Sequence, residues 1–245
     1  MLRIELSASK YKPAPIALGI NTDAYQPVER RLKLTRNILK VLREFQHPVT
    51  IVTKSSLIER DFDILSDMAK SNLVKVIISL TTLDQALMRK MEPRACTPMR
   101  RLNLIDSLAD AKIPVGVLVA PIIPVLTDNE LESILEHSRR AGALSAGYVL
   151  IRLPHEIKQL FYEWLELHFP DKASHIINRI RDCRGGRDYN AEFGSRMRGT
   201  GIYADIIEQR FKIATQKFGY TSTAPLNISA FSVPRSYGQR QLDLF

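Results

Sequence analysis

Three short polar stretches, each following an apolar run, hold most of the chemistry this sequence could offer. Asn21, Thr22 and Asp23 follow the apolar run 16–20, Lys54 and Ser55 follow 49–52, and Ser79, Thr81 and Thr82 close the run 74–80. Lys54 is a fixed cation suited to a carboxylate or phosphate. The hydroxyls can bond polar ligand groups, and Asn21 and Asp23 can accept from an amine or a ribose hydroxyl. Together these residues describe a pocket for a zwitterionic or nucleoside-like molecule. Arg94 is a candidate second anion clamp, with a surface salt bridge to Glu92 or Asp84 as its ordinary alternative. Ala120, Pro121, Ile122 and Ile123 could pack on a flat ring, although a strand continuing into core calls for the same residue types. Taken singly, each polar residue could cap a helix or close a turn; recurrence at successive run ends favours a ligand.

Other catalytic arrangements are not visible. The histidines His47, His137, His155, His168 and His175 are scattered, with no Ser/His/Asp or Cys/His spacing. Cys96 and Cys183 lie far apart and neither has a Cys or His at metal-ligand spacing, so no metal site is expected in this chain. A second region of interest is the glycine-broken loop with Arg184, Arg187, Tyr189, Phe193, Arg196 and Arg198. Arginine interleaved with aromatics suits phosphate contact and base stacking; a solvated loop is the competing view. The formal net charge of +9 favours a polyanionic partner such as DNA.

These residues need elements to position them. Strands are predicted at 16–20, 49–52, 74–80, 115–120 and 147–153, with helices between them, the one ending at 140 opened by Thr127 and Glu130 at capping-box spacing. Such alternation predicts βαβ units and a parallel sheet, whose strand ends form one polar rim. Periodicity does not separate an open sheet from an incomplete barrel. After Pro154 the alternation stops and helices are predicted at 157–169, 172–182 and 202–218. The chain therefore reads as an incomplete (β/α) barrel over 1–153, a helical extension over 154–220 and a flexible polar tail over 221–245. The tail closes on Gln241, Leu242, Asp243, Leu244 and Phe245, apolar residues placed as in a docking peptide. No apolar run approaches the roughly 18 residues of a membrane span, and the N-terminus lacks a secretory core. The expectation is a soluble cytoplasmic protein with no membrane partner.

The motifs themselves resemble a family. Asn21-Thr22-Asp23-Ala24-Tyr25-Gln26-Pro27-Val28-Glu29, Val52-Thr53-Lys54-Ser55, Ser79-Leu80-Thr81-Thr82, Glu92-Pro93-Arg94-Ala95 with Thr97-Pro98 and Arg101-Leu102, and Ala120-Pro121-Ile122-Ile123-Pro124 are similar, in order, to those of radical S-adenosylmethionine (SAM) proteins of the DNA-repair-photolyase-like group, related to spore photoproduct lyase. The resemblance implies an α/β fold, a partial (β/α)6 TIM-like barrel, here of about five parallel strands. It also implies SAM and a [4Fe-4S] cluster at the strand C-termini, with reductive cleavage of SAM and hydrogen abstraction from a substrate. Asn21, Thr22 and Asp23 would meet the SAM amino group, Lys54 and Ser79 its carboxylate or ribose, and Ala120, Pro121 and Ile123 the adenine. Ser55, Thr81 and Arg94 complete the candidate cofactor set.

The sequence departs from that family in one respect. The cluster ligands are three cysteines in a Cys-x3-Cys-x2-Cys loop that this chain lacks, and Cys96 and Cys183 cannot replace thiolates converging on one loop. The chain is thus expected to correspond to the C-terminal part of such an enzyme, as a truncated product, half of a split gene or a late start. It would be silent alone, with a separate N-terminal half as a partner. Residues 241–245 are similar to the peptide by which bacterial replication and repair proteins dock on the DNA polymerase sliding clamp. Two alternatives stay open: a non-catalytic nucleic-acid-binding module tethered to that clamp, and an unrelated barrel enzyme taking a phosphorylated metabolite at Lys54 and Arg94.

Overall fold

The computed structural model describes residues 1–189, 191, 192, 194–222 and 224–234. After the short helix α1 (Leu2–Leu6), the chain forms β1 (Ile16–Leu18), α2 (Glu29–Leu32), α3 (Leu34–Glu44), β2 (Val49–Thr53), α4 (Phe62–Lys70) and β3 (Val74–Ser79). There follow α5 (Gln85–Met91), α6 (Pro98–Asp110), β4 (Val115–Ile122), α7 (Leu131–Arg140) and β5 (Ser145–Leu150). The strands make one sheet in the order β1-β2-β3-β4-β5, and every neighbouring pair is parallel. This is the α/β architecture of a partial barrel expected from the sequence, with all strand C-termini on one rim.

The covering helices bury one stripe each: Leu39 and Leu42 on α3, Ile64, Leu65 and Met68 on α4, Leu104, Ile105 and Leu108 on α6, Leu131, Ile134 and Leu135 on α7. These four helices also end alike. Gln46, Asn72, Lys112 and Gly142 each adopt positive φ. The next amide reaches back to the helix, from His47 to Leu42, Leu73 to Met68, Ile113 to Leu108 and Ala143 to Ser138, at 2.8–3.0 Å. This is the Schellman turn, which satisfies the last carbonyls and returns the chain directly into a strand. One of the four uses glycine, so the sequence signals just one of these stops.

The expected capping box at Thr127 and Glu130 is corrected. The Thr127 hydroxyl accepts from the Ile123 amide at 2.8 Å, and α7 begins at Leu131 without a side-chain cap. Glu130 instead turns inward, accepting from Thr82 Oγ1 and the Leu83 amide, both at 2.6 Å. A tertiary demand, fixing the chain after β3, outcompetes the local cap.

The C-terminal helices are α8 (Glu156–His168), α9 (Pro170–Asp182), α10 (Ser195–Arg198) and α11 (Ile202–Lys217). Ala204, Ile207 and Ala214 of α11 belong to the main core, and Arg210 pairs with Glu132 of α7 at 2.6 Å. Leu165, Ala173, Ile176 and Ile180 of α8 and α9 form a second cluster with Ile123, Ile151 and Leu153.

The flexible tail expected from 221 is also corrected up to 234. Amides of Thr221, Asn227 and Ser232 donate to the carbonyls of Leu144, Asn72 and Phe45 at 2.9–3.0 Å, and Phe231 packs on Tyr11, Phe45 and His47. Having no periodic pattern of its own, this segment is ordered by the bottom of the sheet, opposite the rim. Residues 235–245, with the peptide from Gln241 to Phe245, lie outside the described residues. Among the described residues no helix is long and apolar enough to cross a membrane.

Candidate functional site

The site begins with a glycine the sequence reading passed over. After β1, Gly19 has φ +85°, and a Cβ there would stand 2.0 Å from the Val52 carbonyl oxygen of β2. No side chain fits that approach. The following turn is held by Asp23: Oδ1 accepts from the Tyr25 amide at 2.8 Å and the Thr53 hydroxyl at 2.7 Å, and Oδ2 from the Lys54 amide at 2.9 Å. The remainder of this motif is structural. Buried Tyr25 donates to Asp61 at 3.1 Å, and Glu29 accepts from the first amides of α3, Leu34 and Thr35, at 2.9 and 3.0 Å.

Asn21, Asp23, Lys54, Ser79, Ala120 and Pro121 line one cavity of about 530 Å³, together with Gly19, Leu118, Arg152 and Met197. The strand ends therefore do converge. Ser55 and Arg94 line a neighbouring cavity of about 410 Å³ that also touches Asp23 and Lys54. Ile123 lines a third, mainly apolar cleft of about 360 Å³ with Phe161 and Trp164, joined to the first through Pro121. Thr22 is exposed, and Thr81 is buried; neither lines any of these cavities. The Ser79 and Thr81 hydroxyls donate to the Ala120 carbonyl at 3.2 and 2.8 Å, binding β3 to β4 at the rim.

Lys54 is less free than expected. Its ammonium pairs with Glu92, whose other oxygen takes Arg101 Nη2 at 2.6 Å. Arg101 is 1% exposed and also donates to the carbonyls of Ser79 and Cys96, both at 3.0 Å. Burial would raise the Glu92 pKa, but the charges of Arg101 and Lys54 and their hydrogen bonds prevail and hold it below the usual carboxylate range. Thus Glu92, one of the two expected alternative partners of Arg94 with Asp84, is satisfied by two other cations. Among the described residues Arg94 makes no ion pair.

The basic loop divides. Arg184, expected at a nucleic-acid surface, is 3% exposed and donates to the carbonyls of Leu150, Ile151, Ser195 and Arg196 at 2.8–3.3 Å. It is a structural residue fastening the loop to β5. Asp188 anchors the loop from the other side, accepting from Arg181 at 2.7 Å and pairing with Lys158 at 2.6 Å. Arg198 lies 4.0 Å over the Tyr148 ring, and Arg196 is half-buried. Arg187 stays exposed. The Tyr189 hydroxyl accepts from Arg152 at 3.1 Å. Arg152 and Met197 were missed; a charged residue inside the apolar run predicted as the fifth strand, 147–153, was the available signal, since β5 ends at Leu150.

The two cysteines do not fit an iron–sulfur cluster. Cys96 lies beside Ser56, whose amide is 3.3 Å from its sulfur, whereas Cys183 is buried in the extension with its thiol pushed up to about 11 by burial. Among the described residues no group of three His, Cys, Asp or Glu could hold a metal ion.

A five-stranded parallel sheet with a partly polar, partly apolar cavity at its strand C-termini defines a partial α/β barrel. The chain belongs to the radical SAM superfamily, whose sequence profile matches residues 7–137. It is 34% identical over 184 residues to the uncharacterised protein Rv2578c of Mycobacterium tuberculosis, covering 74% of this chain and 53% of that one. It is 27% identical over 175 residues to the uncharacterised protein MJ0683 of Methanocaldococcus jannaschii, covering 71% and 64%. The chain thus spans about half the length of the former relative. Among solved structures, a point mutant of spore photoproduct lyase matches with a TM-score of 0.62 at 13% identity, over 89% of this chain and 62% of that one. Spore photoproduct lyase complexed with dinucleoside spore photoproduct matches with a TM-score of 0.58 at 14% identity, over the same shares. At these identities the likeness is one of fold.

Proposed function

We propose that this chain is the SAM-binding part of a radical SAM enzyme that acts on DNA in a cytoplasmic setting. One observation carries the cofactor reading: residues from four successive strand ends, among them Asn21, Asp23, Lys54, Ser79 and Ala120, share a single cavity. The Asp23 Oδ2 atom accepts one described hydrogen bond, which leaves it a lone pair for an ammonium group. Leu118, Ala120 and Pro121 give the apolar wall a purine needs, while Asn21 offers an amide to ribose or amino acid. Bound SAM supplies a sulfonium carbon–sulfur bond for one-electron cleavage. The role of these residues is to hold the amino acid and nucleoside ends apart in a fixed orientation. The cluster does not fit Cys96 and Cys183, so no step through it is assigned to this chain; its thiolates would come from outside these 245 residues, as from a separate N-terminal half.

The DNA reading is supported by the net charge of +9, by exposed Arg187, and by a fold relative complexed with a dinucleoside. Residues 241–245 support docking on a DNA polymerase sliding clamp; deleting them should abolish clamp binding and leave the unfolding temperature unchanged.

Titration calorimetry with S-adenosylhomocysteine and 5′-methylthioadenosine tests the cofactor site. The former, carrying the amino acid, should bind more tightly to the wild type. Asp23→Asn should erase most of that difference, about tenfold in affinity. Absence of binding by either compound at millimolar concentration would overturn the reading.

A further inference from the structure

We infer that Arg152 recognises an oxyanion of the second substrate, a phosphodiester, at the β5 side of the cavity. The inference rests on the SAM reading of that cavity and adds the chemistry of what binds beside SAM.

Among the described residues, Lys54 and Arg152 are the two cations that line the cavity. Lys54 is committed to Glu92, and Glu92 is shared with buried Arg101. Arg152, just beyond the end of β5, has no carboxylate partner among the described residues. Its Nη2 donates to the Tyr189 hydroxyl at 3.1 Å, its Nη1 approaches the Met197 sulfur at 3.7 Å, and among the described residues its enclosed Nε has no hydrogen-bond partner. A guanidinium carries five N–H donors and a permanent charge. Here neutral groups meet two of those donors. The Tyr189 ring, 5.8 Å from the guanidinium carbon, and Met197 fix its position from the basic loop. A second guanidinium lies behind it, since Arg184 donates to the carbonyls of Leu150 and Ile151, the residues immediately before Arg152. A half-buried, immobilised cation beside another is unfavourable without an anion. Its open side faces the cavity.

SAM cannot supply that anion. Its one anionic group is the carboxylate, carried by the same carbon as the amine, and the amine belongs at Asp23 beyond β1. Strands β1 and β5 are the two edges of the sheet. The adenosyl end that reaches toward β5 carries no negative charge. An oxyanion at Arg152 therefore belongs to another molecule, and a planar guanidinium fork suits phosphate. The basic charge balance of the chain favours a phosphodiester strand over a lone carboxylate.

The test is calorimetric titration of the full chain with thymidylyl-thymidine, which has one phosphodiester, with its neutral methylphosphonate analogue, and with S-adenosylhomocysteine. The wild type should bind the phosphodiester about tenfold more tightly than the neutral analogue. Arg152→Gln should abolish that preference, Arg152→Lys should keep part of it, and both should bind S-adenosylhomocysteine within about twofold of wild type. Because the analogue arm uses unaltered protein, it stands even where a variant folds poorly. Equal wild-type affinity for the charged and neutral dinucleosides, or none for either at millimolar concentration, overturns the inference. Loss of S-adenosylhomocysteine binding in Arg152→Gln with the phosphodiester preference retained would place the cofactor carboxylate at Arg152 and also overturns it. Retained S-adenosylhomocysteine binding in the wild type leaves the SAM reading standing in the first two cases.

Discussion

Glu92 and Arg101 meet at 2.6 Å, the arginine 1% exposed, and together they hold the loop after α5 against the end of β3. Lys54 shares the same carboxylate from the cavity side. Removing the acid would leave Arg101 charged and buried with carbonyls as its remaining partners. Glu92→Gln should therefore cost about 3 kcal/mol. Lys54, with its side chain 37% exposed, can recover water, so Lys54→Met should cost no more than about 1 kcal/mol. Urea unfolding of the two variants measures the contrast; equal losses would contradict it.

His47 gives folding stability a pH dependence that sets in as pH falls below the ordinary imidazole pKa of 6.5. It is fully buried, with the Tyr11 hydroxyl 2.7 Å from Nε2 and the Pro48 carbonyl 2.9 Å from Nδ1, an arrangement that suits the neutral ring. Burial lowers its pKa below the ordinary 6.5, against a smaller raising effect of the Pro48 carbonyl. The unfolded chain then takes up the proton first. The stability His47 contributes is complete above pH 6.5 and is lost as pH falls through its lower folded pKa. An imidazole titration by NMR should show a midpoint under 6.5; a midpoint at or above it would refute this assignment.

Gly19→Ala forces a Cβ onto the Val52 carbonyl oxygen at a φ of +85°. The two β-ends must separate, with a loss of at least about 2 kcal/mol and weaker binding of S-adenosylhomocysteine. Gly185 also has positive φ, +64°, but nothing lies within 4 Å of its Cβ position. There alanine should cost about 1 kcal/mol and leave binding intact.

The cysteines should differ in reactivity. Cys96 is partly exposed beside a cavity, while Cys183 is buried with its thiol pushed up to about 11. At pH 8 a disulfide reagent should label one thiol per folded chain, and peptide mapping should find it at Cys96. Labelling of Cys183 first would show that the extension opens.

Phe231 tests the packed segment beneath the sheet. Its ring lies 5.6 Å from both Tyr11 and His47 and 6.4 Å from Phe45. Phe231→Ala should cost about 3 kcal/mol, the low end for a phenylalanine truncation because the ring is only half-buried. No loss of thermal stability would mean that 221–234 contributes little to holding the bottom of the sheet.

The sequence by itself determined the parallel α/β order and most of the rim. Apolar runs broken by Asn21 to Asp23, by Lys54 and by Ser79 mark strands leaving the core for water, and that pattern is local. The tertiary structure decided which of those groups remain available. Glu92 takes Lys54, Ala120 takes the Ser79 and Thr81 hydroxyls, and four carbonyls take Arg184. Most of these partners lie more than 30 residues along the chain, beyond the reach of any local periodicity or spacing. The same holds for Gly19, whose need for a missing side chain comes from a neighbouring strand, and for Arg152, which among the described residues has no carboxylate partner. Hydrophobic period is written residue by residue, whereas the pairing of charges is settled only when distant segments are brought within hydrogen-bond reach.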